Sequence, residues 1–169
     1  GVYVTGTLGD AALALSHLLG KRTLNENQLA AVLPRLDHPH PRILAGQALR
    51  GLASSALDLS DGLASDLGHI LKASGVRAQI DLNLLPLSPV LQDAVPAMDA
   101  WQLALAGGDD YELCFTVPQE HHGALDTALA NCGVKFTRIG RILAGEPGID
   151  YLQDERPVEL HFKGWDHFA

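Results

Sequence analysis

The chain is poor in the residues that build several common kinds of site. Of its 169 residues only Cys114 and Cys132 are cysteine, and their spacing fits neither a disulfide framework nor a zinc site. Lysine and arginine together number 12, against 20 aspartates and glutamates, which gives a formal net charge of −8. Because a nucleic-acid surface needs a basic stripe, this balance argues against nucleic acid as a partner. An anionic ligand is still possible, and for an acidic protein we expect metal cations or backbone amides to bind it.

Long apolar runs are also missing. No stretch approaches the roughly 18 residues that a membrane-spanning helix requires. Residues 1–10 lack the basic start and apolar core of a signal peptide. We therefore expect a cytoplasmic protein with no membrane partner. The presence of Gly1 in place of Met suggests that the chain begins inside a longer one.

The composition is otherwise that of an ordinary globular protein, with 47% hydrophobic and 19% charged residues, and the length fits one domain over residues 1–169. Helix-period and strand-period patterns both occur. They predict helices at residues 10–19, 25–36 (capped by Asn25), 42–53, 63–74, 97–106 and 118–131, and strands at residues 1–4, 55–59, 77–82, 111–117, 135–143 and 158–162. We expect an α+β fold in which helices pack on a mixed β-sheet.

The first cluster of polar residues lies where a strand gives way to a helix, in the stretch Asp-Leu-Ser-Asp-Gly that begins at Asp58. Ser60 or Asp61 is well placed to cap the helix. A cap does not explain Asp58, because two nearby carboxylates repel unless a cation lies between them or one takes a proton. Mg²⁺ would relieve that repulsion. A capped helix and a metal-phosphate site both remain open for this stretch, and Asp66 has no assigned role beyond a solvated helix acid.

The second cluster is a double glycine followed by acids, from Gly107 to Glu112. The glycines permit unusual backbone angles or a close approach of two segments. The acids precede a strongly apolar strand, so they lie at the rim of the sheet. The stretch is either a loop of solvated acids or a loop that faces a ligand.

The last eight residues, from Phe162 to Ala169, hold three of the nine aromatic residues. Such a tail either packs on the domain or covers a flat ligand, for which Trp165 is suited. Two further motifs fall short of a known pattern. Residues 5–9 are glycine-rich but lack the lysine and spacing of a P-loop. Ser60 lacks the flanking glycines of a nucleophile elbow.

Four stretches together resemble a known family, in the order VTGTLGDAALAL, LDLSDGLASDLGHIL, GGDDYELCFTV and GWDHF. The chain resembles the C-terminal half of the thiamine-monophosphate kinase family over essentially its full length. This family lies in the aminoimidazole ribonucleotide synthetase-like superfamily. The resemblance implies the C-terminal α+β domain of that fold, without the N-terminal ATP-binding half.

The implied activity is ATP- and Mg²⁺-dependent phosphorylation of thiamine monophosphate to thiamine diphosphate, by a full-length protein that forms a homodimer. We expect the 169-residue chain alone to be inactive. The alternatives are another ATP-dependent phosphotransfer enzyme of the superfamily, acting on a different phosphate acceptor, and a non-catalytic domain of the same fold.

The resemblance also implies roles for individual residues. Asp58 and Asp61 would bind Mg²⁺, Ser60 would contact ATP, and Asp109 and Trp165 would contact the substrate. No catalytic residue is implied, because the attacking group is a phosphate oxygen of the substrate. One departure is visible, since Asp109 stands where this family commonly has glutamate.

Overall fold

The computed structural model describes residues 1–160, and Trp165 lies outside this range. The strands are β1 (Val2–Thr5), β2 (Ser55–Asp58), β3 (Arg77–Asp81), β4 (Leu113–Thr116), β5 (Phe136–Leu143), β6 (Gly148–Gln153) and β7 (Arg156–Val158). The helices are α1 (Asp10–Leu18), α2 (Glu26–Asp37), α3 (Ile43–Ala48), α4 (Leu63–Ser74), α5 (Pro89–Ala94), α6 (Ala97–Ala106) and α7 (Leu125–Leu129). Short 3₁₀ helices cover Leu82–Leu84 and Gln119–Ala124.

The seven strands form one sheet in the order β2-β4-β1-β5-β3-β6-β7. All neighbours are antiparallel except β3 and β6, which are parallel. Every residue of β1 and β4 is buried, since helices pack over both faces of these strands. Helices α4 and α6 pack on one face, and α3 and α7 on the other. The predicted α+β class with a mixed sheet is confirmed.

Local signals explain the elements that match the predictions best. Asn25 accepts a hydrogen bond from the Gln28 N–H, and the Gln28 side chain accepts one in return from the Asn25 N–H. This capping box starts α2 where the sequence predicts it. Helix α6 also has the predicted bounds, because Pro96 and Gly107 flank it.

Three predicted elements differ from the structure. Helix α3 ends at Ala48 rather than residue 53, and the backbone turns at Gly51, where φ is 80°. The predicted helix at residues 118–131 is a 3₁₀ segment that contains Gly123, followed by the short α7. Strand β6 was not predicted, although Ile149 and Tyr151 flank the polar Asp150 in it. In residues 1–160 the last strand is β7, which ends at Val158, so the predicted strand at residues 158–162 is wrong for residues 159–160. Its residues 161–162 lie outside the described range.

Strand β2 positions the polar clusters. It lies at the edge of the sheet, and its exposed residues, Ala56 and Asp58, alternate with partly buried ones. Asp58 pairs with Leu113 at the start of β4, so the end of β2 lies beside the double-glycine stretch. None of the helices in residues 1–160 is long and apolar enough to cross a membrane.

Candidate functional site

The two polar clusters that are 50 residues apart in the sequence meet through main-chain hydrogen bonds. We call residues 59–62 the β2–α4 loop and residues 107–112 the double-glycine loop. The Asp109 N–H donates to the Ser60 carbonyl at 2.9 Å, and the Tyr111 N–H donates to the Leu59 carbonyl at 2.8 Å. The Leu59 N–H donates in turn to the carbonyl of Glu112, also at 2.8 Å. The two loops therefore form one continuous surface.

Each glycine is required by a close approach, Gly107 to helices α6 and α1 and Gly108 to the β2–α4 loop. A Cβ on Gly107 would lie 2.3 Å from the Leu103 carbonyl oxygen, and one on Gly108 would lie 2.7 Å from that of Ser60. Beyond the glycines, Asp109 adopts a φ of 67°, in the left-handed region that costs energy for residues with a side chain. The prediction that these glycines allow a close approach is confirmed.

Asp66 determines the local geometry of the β2–α4 loop. Its Oδ2 accepts hydrogen bonds from the N–H groups of Ser60, at 2.9 Å, and Asp61, at 3.0 Å. The N-cap of α4 is Gly62, and no side chain caps it, so the predicted cap by Ser60 or Asp61 is wrong. Asp66 is 5% exposed, so it is not a solvated acid either. Burial raises the pKa of Asp66, against the effect of the two N–H donors.

The three acids at the surface of this site are Asp58, Asp61 and Asp109, and we call them the outer acids. Asp58 and Asp61 are exposed, and Asp109 is half-buried. Within residues 1–160, no side chain or main-chain group donates a hydrogen bond to their carboxylates, and none forms an ion pair with them. These side chains are therefore free to contact a ligand.

The donor set fits part of a Mg²⁺ shell. Mg²⁺ prefers oxygen ligands and is commonly held by one or two carboxylates together with phosphate oxygens and water. Asp58 and Asp61 supply two exposed carboxylates of this kind. In the described part of the chain, no group of three or more histidine, cysteine, aspartate or glutamate residues is arranged to hold a metal. These two residues can complete a site only with ligands from elsewhere.

A different arrangement surrounds Glu112, which is 2% exposed. Its carboxylate accepts from the Thr5 hydroxyl at 2.7 Å and from Arg35 Nη2 at 3.2 Å. It also accepts two bonds from Arg42, from Nε at 2.8 Å and from Nη2 at 2.7 Å. These bonds to Glu112 are the main reason that the pKa of Arg42 is raised. The expectation of a solvated acid is wrong at Glu112.

Asp10 and Asp110 extend this arrangement. Asp10 accepts from the Ser88 hydroxyl at 2.6 Å, the Thr7 hydroxyl at 3.1 Å and Arg35 Nη1 at 3.3 Å. We call Asp10, Asp110, Glu112, Arg35 and Arg42 the inner charge network.

Asp110 is 4% exposed, and it too differs from the predicted solvated acid. The Gly9 N–H donates to both of its carboxylate oxygens, at 3.1 and 3.2 Å. Burial raises the pKa of Asp110 to about 8 and outweighs the opposing effects of the Gly9 N–H and of Arg35. A buried acid of this kind favours its neutral form near neutral pH.

The glycine-rich stretch between β1 and α1 belongs to the inner charge network. A Cβ on Gly6 would lie 2.4 Å from the carboxylate of Glu112, so glycine is required where this acid approaches the chain. The Gly9 N–H is already bonded to Asp110. The stretch therefore connects β1 to the buried acids, in agreement with its lack of a P-loop pattern.

Sequence reasoning did not identify Arg35 and Arg42. They lie 77 and 70 residues from Glu112 in the chain, and no local spacing indicates such a distant partner. Each follows a proline, Pro34 and Pro41, and this local feature does not indicate a buried partner. The roles predicted for Ser60 and the outer acids remain predictions, and Trp165 lies outside the described residues.

The chain is similar to proteins of known activity. The family model of AIR synthase related protein, C-terminal domain, matches residues 1–151. Thiamine-monophosphate kinase of Escherichia coli strain K12 is 53% identical over 169 residues, which are 99% of this chain and 52% of that protein. The chain thus spans about half the length of the curated relatives it matches.

Solved structures of thiamine-monophosphate kinases are also similar to this chain. A crystal structure of thiamine-monophosphate kinase from Stenotrophomonas maltophilia K279a superposes with a TM-score of 0.81 at 39% identity, over 93% of this chain and 50% of that one. A structure described as AaThiL complexed with AMPPCP and TMP gives a TM-score of 0.72 at 33% identity, over 94% of this chain and 48% of that one. The resemblance inferred from the order of motifs is confirmed, and the chain belongs to the family of AIR synthase related protein C-terminal domains.

Proposed function

We propose that this chain is the C-terminal half of a thiamine-monophosphate kinase, which transfers a phosphoryl group from ATP to thiamine monophosphate. The observation that carries the proposal is a pair of exposed carboxylates without partners in residues 1–160. Asp58 ends β2, and Asp61 lies on the β2–α4 loop, which is hydrogen-bonded to the double-glycine loop. The proposal is supported by the 53% identity to a thiamine-monophosphate kinase. The similar structure with AMPPCP and TMP supports the same two substrates.

The residue types suit this chemistry. The attacking group is a phosphate oxygen, which is already largely anionic near neutral pH, so no protein base is needed. The main barrier is the approach of two anions, which positioning and cations lower. Asp58 and Asp61 would hold Mg²⁺, which when bound supplies positive charge to the phosphates.

The neighbouring residues would position the two substrates. Ser60 lies between the two acids and would contact ATP through its hydroxyl. Asp109 would contact thiamine monophosphate from the double-glycine loop, and Trp165 would cover the thiamine end. Since the Asp109 N–H is tied to the Ser60 carbonyl, the nucleotide and substrate contacts would keep a fixed relation to each other. An aspartate at position 109 reaches less far than the usual glutamate but keeps its charge.

The active protein would be longer than this chain, with a homodimeric, cytoplasmic full-length form and no nucleic-acid or membrane partner. Two outer acids, Asp58 and Asp61, make only part of a metal shell. We therefore expect the 169-residue chain alone to fold and to be inactive, with the other half supplying further metal ligands and much of the nucleotide site. Robust Mg²⁺-dependent turnover by the purified 169-residue chain would contradict this expectation.

The main test substitutes Asp58→Asn and Asp61→Asn separately in the full-length protein. We expect kcat/KM for thiamine monophosphate to fall by about 100-fold or more, which corresponds to about 2.7 kcal/mol. The matched control is Asp93→Asn, an exposed acid on α5, for which we expect no change. Unchanged activity in both site variants would favour a non-catalytic domain.

A second measurement separates the proposal from other phosphotransfer enzymes. Calorimetric titration of the full-length protein with thiamine monophosphate should show binding. If ATP binds but thiamine monophosphate does not, the acceptor is a different phosphate compound.

A further inference from the structure

Asp66 has no part in the proposed chemistry, yet it is built into the site. It lies in the first turn of α4, where a helix acid is normally solvated, but its side chain is buried beneath the β2–α4 loop. A single oxygen, Oδ2, accepts the N–H groups of both Ser60 and Asp61. These are the two residues of that loop that carry the proposed nucleotide and metal contacts.

The same loop is held from the other side by the double-glycine loop. The Ser60 carbonyl accepts from the Asp109 N–H, while the Ser60 N–H donates to Asp66. Both main-chain groups of Ser60 are therefore bonded within the protein, in opposite directions.

Gly62 provides a third constraint on the loop. Its φ is 109°, and a Cβ there would lie 3.0 Å from the Leu105 carbonyl oxygen and 3.1 Å from that of Ala106. The loop thus rests against the end of α6, where only glycine fits without strain.

The side chains of the two residues are not used in these bonds. The N–H groups of Ser60 and Asp61 turn inward to Asp66, while the Asp61 side chain is exposed and Ser60 is half-buried. Neither side chain has a hydrogen-bond partner among the described residues.

We propose that Asp66 is a positioning residue, which fixes the main chain of Ser60 and Asp61 so that their side chains meet nucleotide and Mg²⁺. It is an internal acceptor and touches neither ligand. This inference rests on the proposed function for the roles of Ser60 and Asp61, whereas the loop geometry stands without it.

Two substitutions in the full-length protein separate position from charge. Asp66→Asn keeps an oxygen at the same distance and removes the charge, and one oxygen suffices for both bonds. Asp66→Glu keeps the charge and moves it by one methylene. A positioning role predicts that the Mg²⁺ concentration for half-maximal activity of Asp66→Asn lies within about 3-fold of the wild-type value. It predicts that Asp66→Glu raises that concentration by about 10-fold or more.

Amide hydrogen exchange without nucleotide or Mg²⁺ gives a readout that does not depend on activity. The Ser60 and Asp61 amides should exchange at least about 10-fold faster in Asp66→Glu than in the wild type, and at the wild-type rate in Asp66→Asn. The amides of Leu67 and Leu71, further along α4, should be unchanged in both variants. If Asp66→Glu does not fold, as judged by a lost thermal transition, Asp66→Ala takes its place, because it removes the acceptor without adding bulk and should show the same faster exchange of the Ser60 and Asp61 amides.

Several results would overturn the inference. Impairment of Asp66→Asn, with or without that of Asp66→Glu, would show that the charge matters rather than the acceptor position. Normal Mg²⁺ dependence and normal exchange in both variants would show that the contacts to Asp66 are dispensable. If the wild-type protein fails to phosphorylate thiamine monophosphate, the proposed function fails, and the exchange rates still test whether Asp66 holds the loop.

Discussion

The acids of the inner charge network and the outer acids include neighbours in the sequence, but the fold treats them in opposite ways. Asp109 and Asp110 are neighbours, yet Asp109 has no partner among the described residues, whereas Asp110 is buried against Gly9. In the inner network every carboxylate accepts hydrogen bonds from the protein. Carboxylates that accept hydrogen bonds from the protein connect segments of the fold. Surface carboxylates without such bonds are available to a ligand.

The energetic consequences also differ. Burying an ion pair brings little net stability, but removing one partner leaves an uncompensated charge and is costly. Removing an exposed acid without partners costs little and can relieve repulsion. Substitutions in the two sets should therefore change stability by very different amounts.

The largest effect on stability is expected at Glu112. The substitution Glu112→Ala removes the acceptor of both bonds from Arg42 and of one bond each from Arg35 and Thr5. We therefore expect a loss of about 3–5 kcal/mol in the free energy of unfolding. Urea denaturation of the 169-residue chain measures it. The matched control is Glu120→Ala, an exposed glutamate on the 3₁₀ helix, with an expected change below about 0.5 kcal/mol. Equal losses in the two variants would remove the distinction between buried and exposed acids.

The contact between the two loops should give the next largest effect. In Gly108→Ala the new Cβ would overlap the Ser60 carbonyl oxygen, which belongs to the main chain and cannot rotate away. We expect a loss of about 1–3 kcal/mol, as for other overpacked sites. Gly123→Ala is the control, because a Cβ at this position meets nothing within 4 Å. The same denaturation experiment applies, and a Gly108→Ala variant as stable as Gly123→Ala would mean that the loops can separate without cost.

Asp110 should make stability depend on pH. Its pKa is about 8 in the folded chain and close to the ordinary value of 3.8 when unfolded, so the folded state holds more protons between these values. Its contribution is complete below about pH 4 and is lost as the pH rises through about 8. Relative to Asp110→Asn, the wild-type chain should lose up to about 1.4 kcal/mol per pH unit in this window. Urea denaturation at pH 5, 6, 7 and 8 gives the free energy of unfolding of both chains. If it changes with pH equally in the wild type and in Asp110→Asn, the prediction is contradicted.

The sequence predicts an element correctly where neighbouring residues determine its start and end. The Asn25 cap and the α6 bounds depend on residues within one turn of them, and both were predicted correctly. A close approach was one of the two uses expected for the double glycine, and the structure shows it at both positions.

Contacts between distant segments could not be predicted in this way. The acceptor role of Asp66 depends on the direction in which the loop turns, and a local cap by Ser60 was the simpler expectation. The buried state of Glu112 depends on Arg35 and Arg42, which are far away in the sequence. Strand β6 pairs in parallel with β3, more than 60 residues earlier, and its short alternating pattern alone was too weak to predict it.

The central claim is that Asp58 and Asp61 serve a ligand and not the fold. The most direct test is the thermal unfolding of the full-length protein and of its Asp58→Asn and Asp61→Asn variants, with and without Mg²⁺ and a non-hydrolysable ATP analogue. Without ligand, all three should unfold within about 0.5 kcal/mol of each other. With ligand at about 100 times its Kd, the wild type should gain about 2.7 kcal/mol, and the variants should gain much less. Variants destabilised by about 2 kcal/mol or more without ligand, or stabilised by the ligand as fully as the wild type, would contradict the claim.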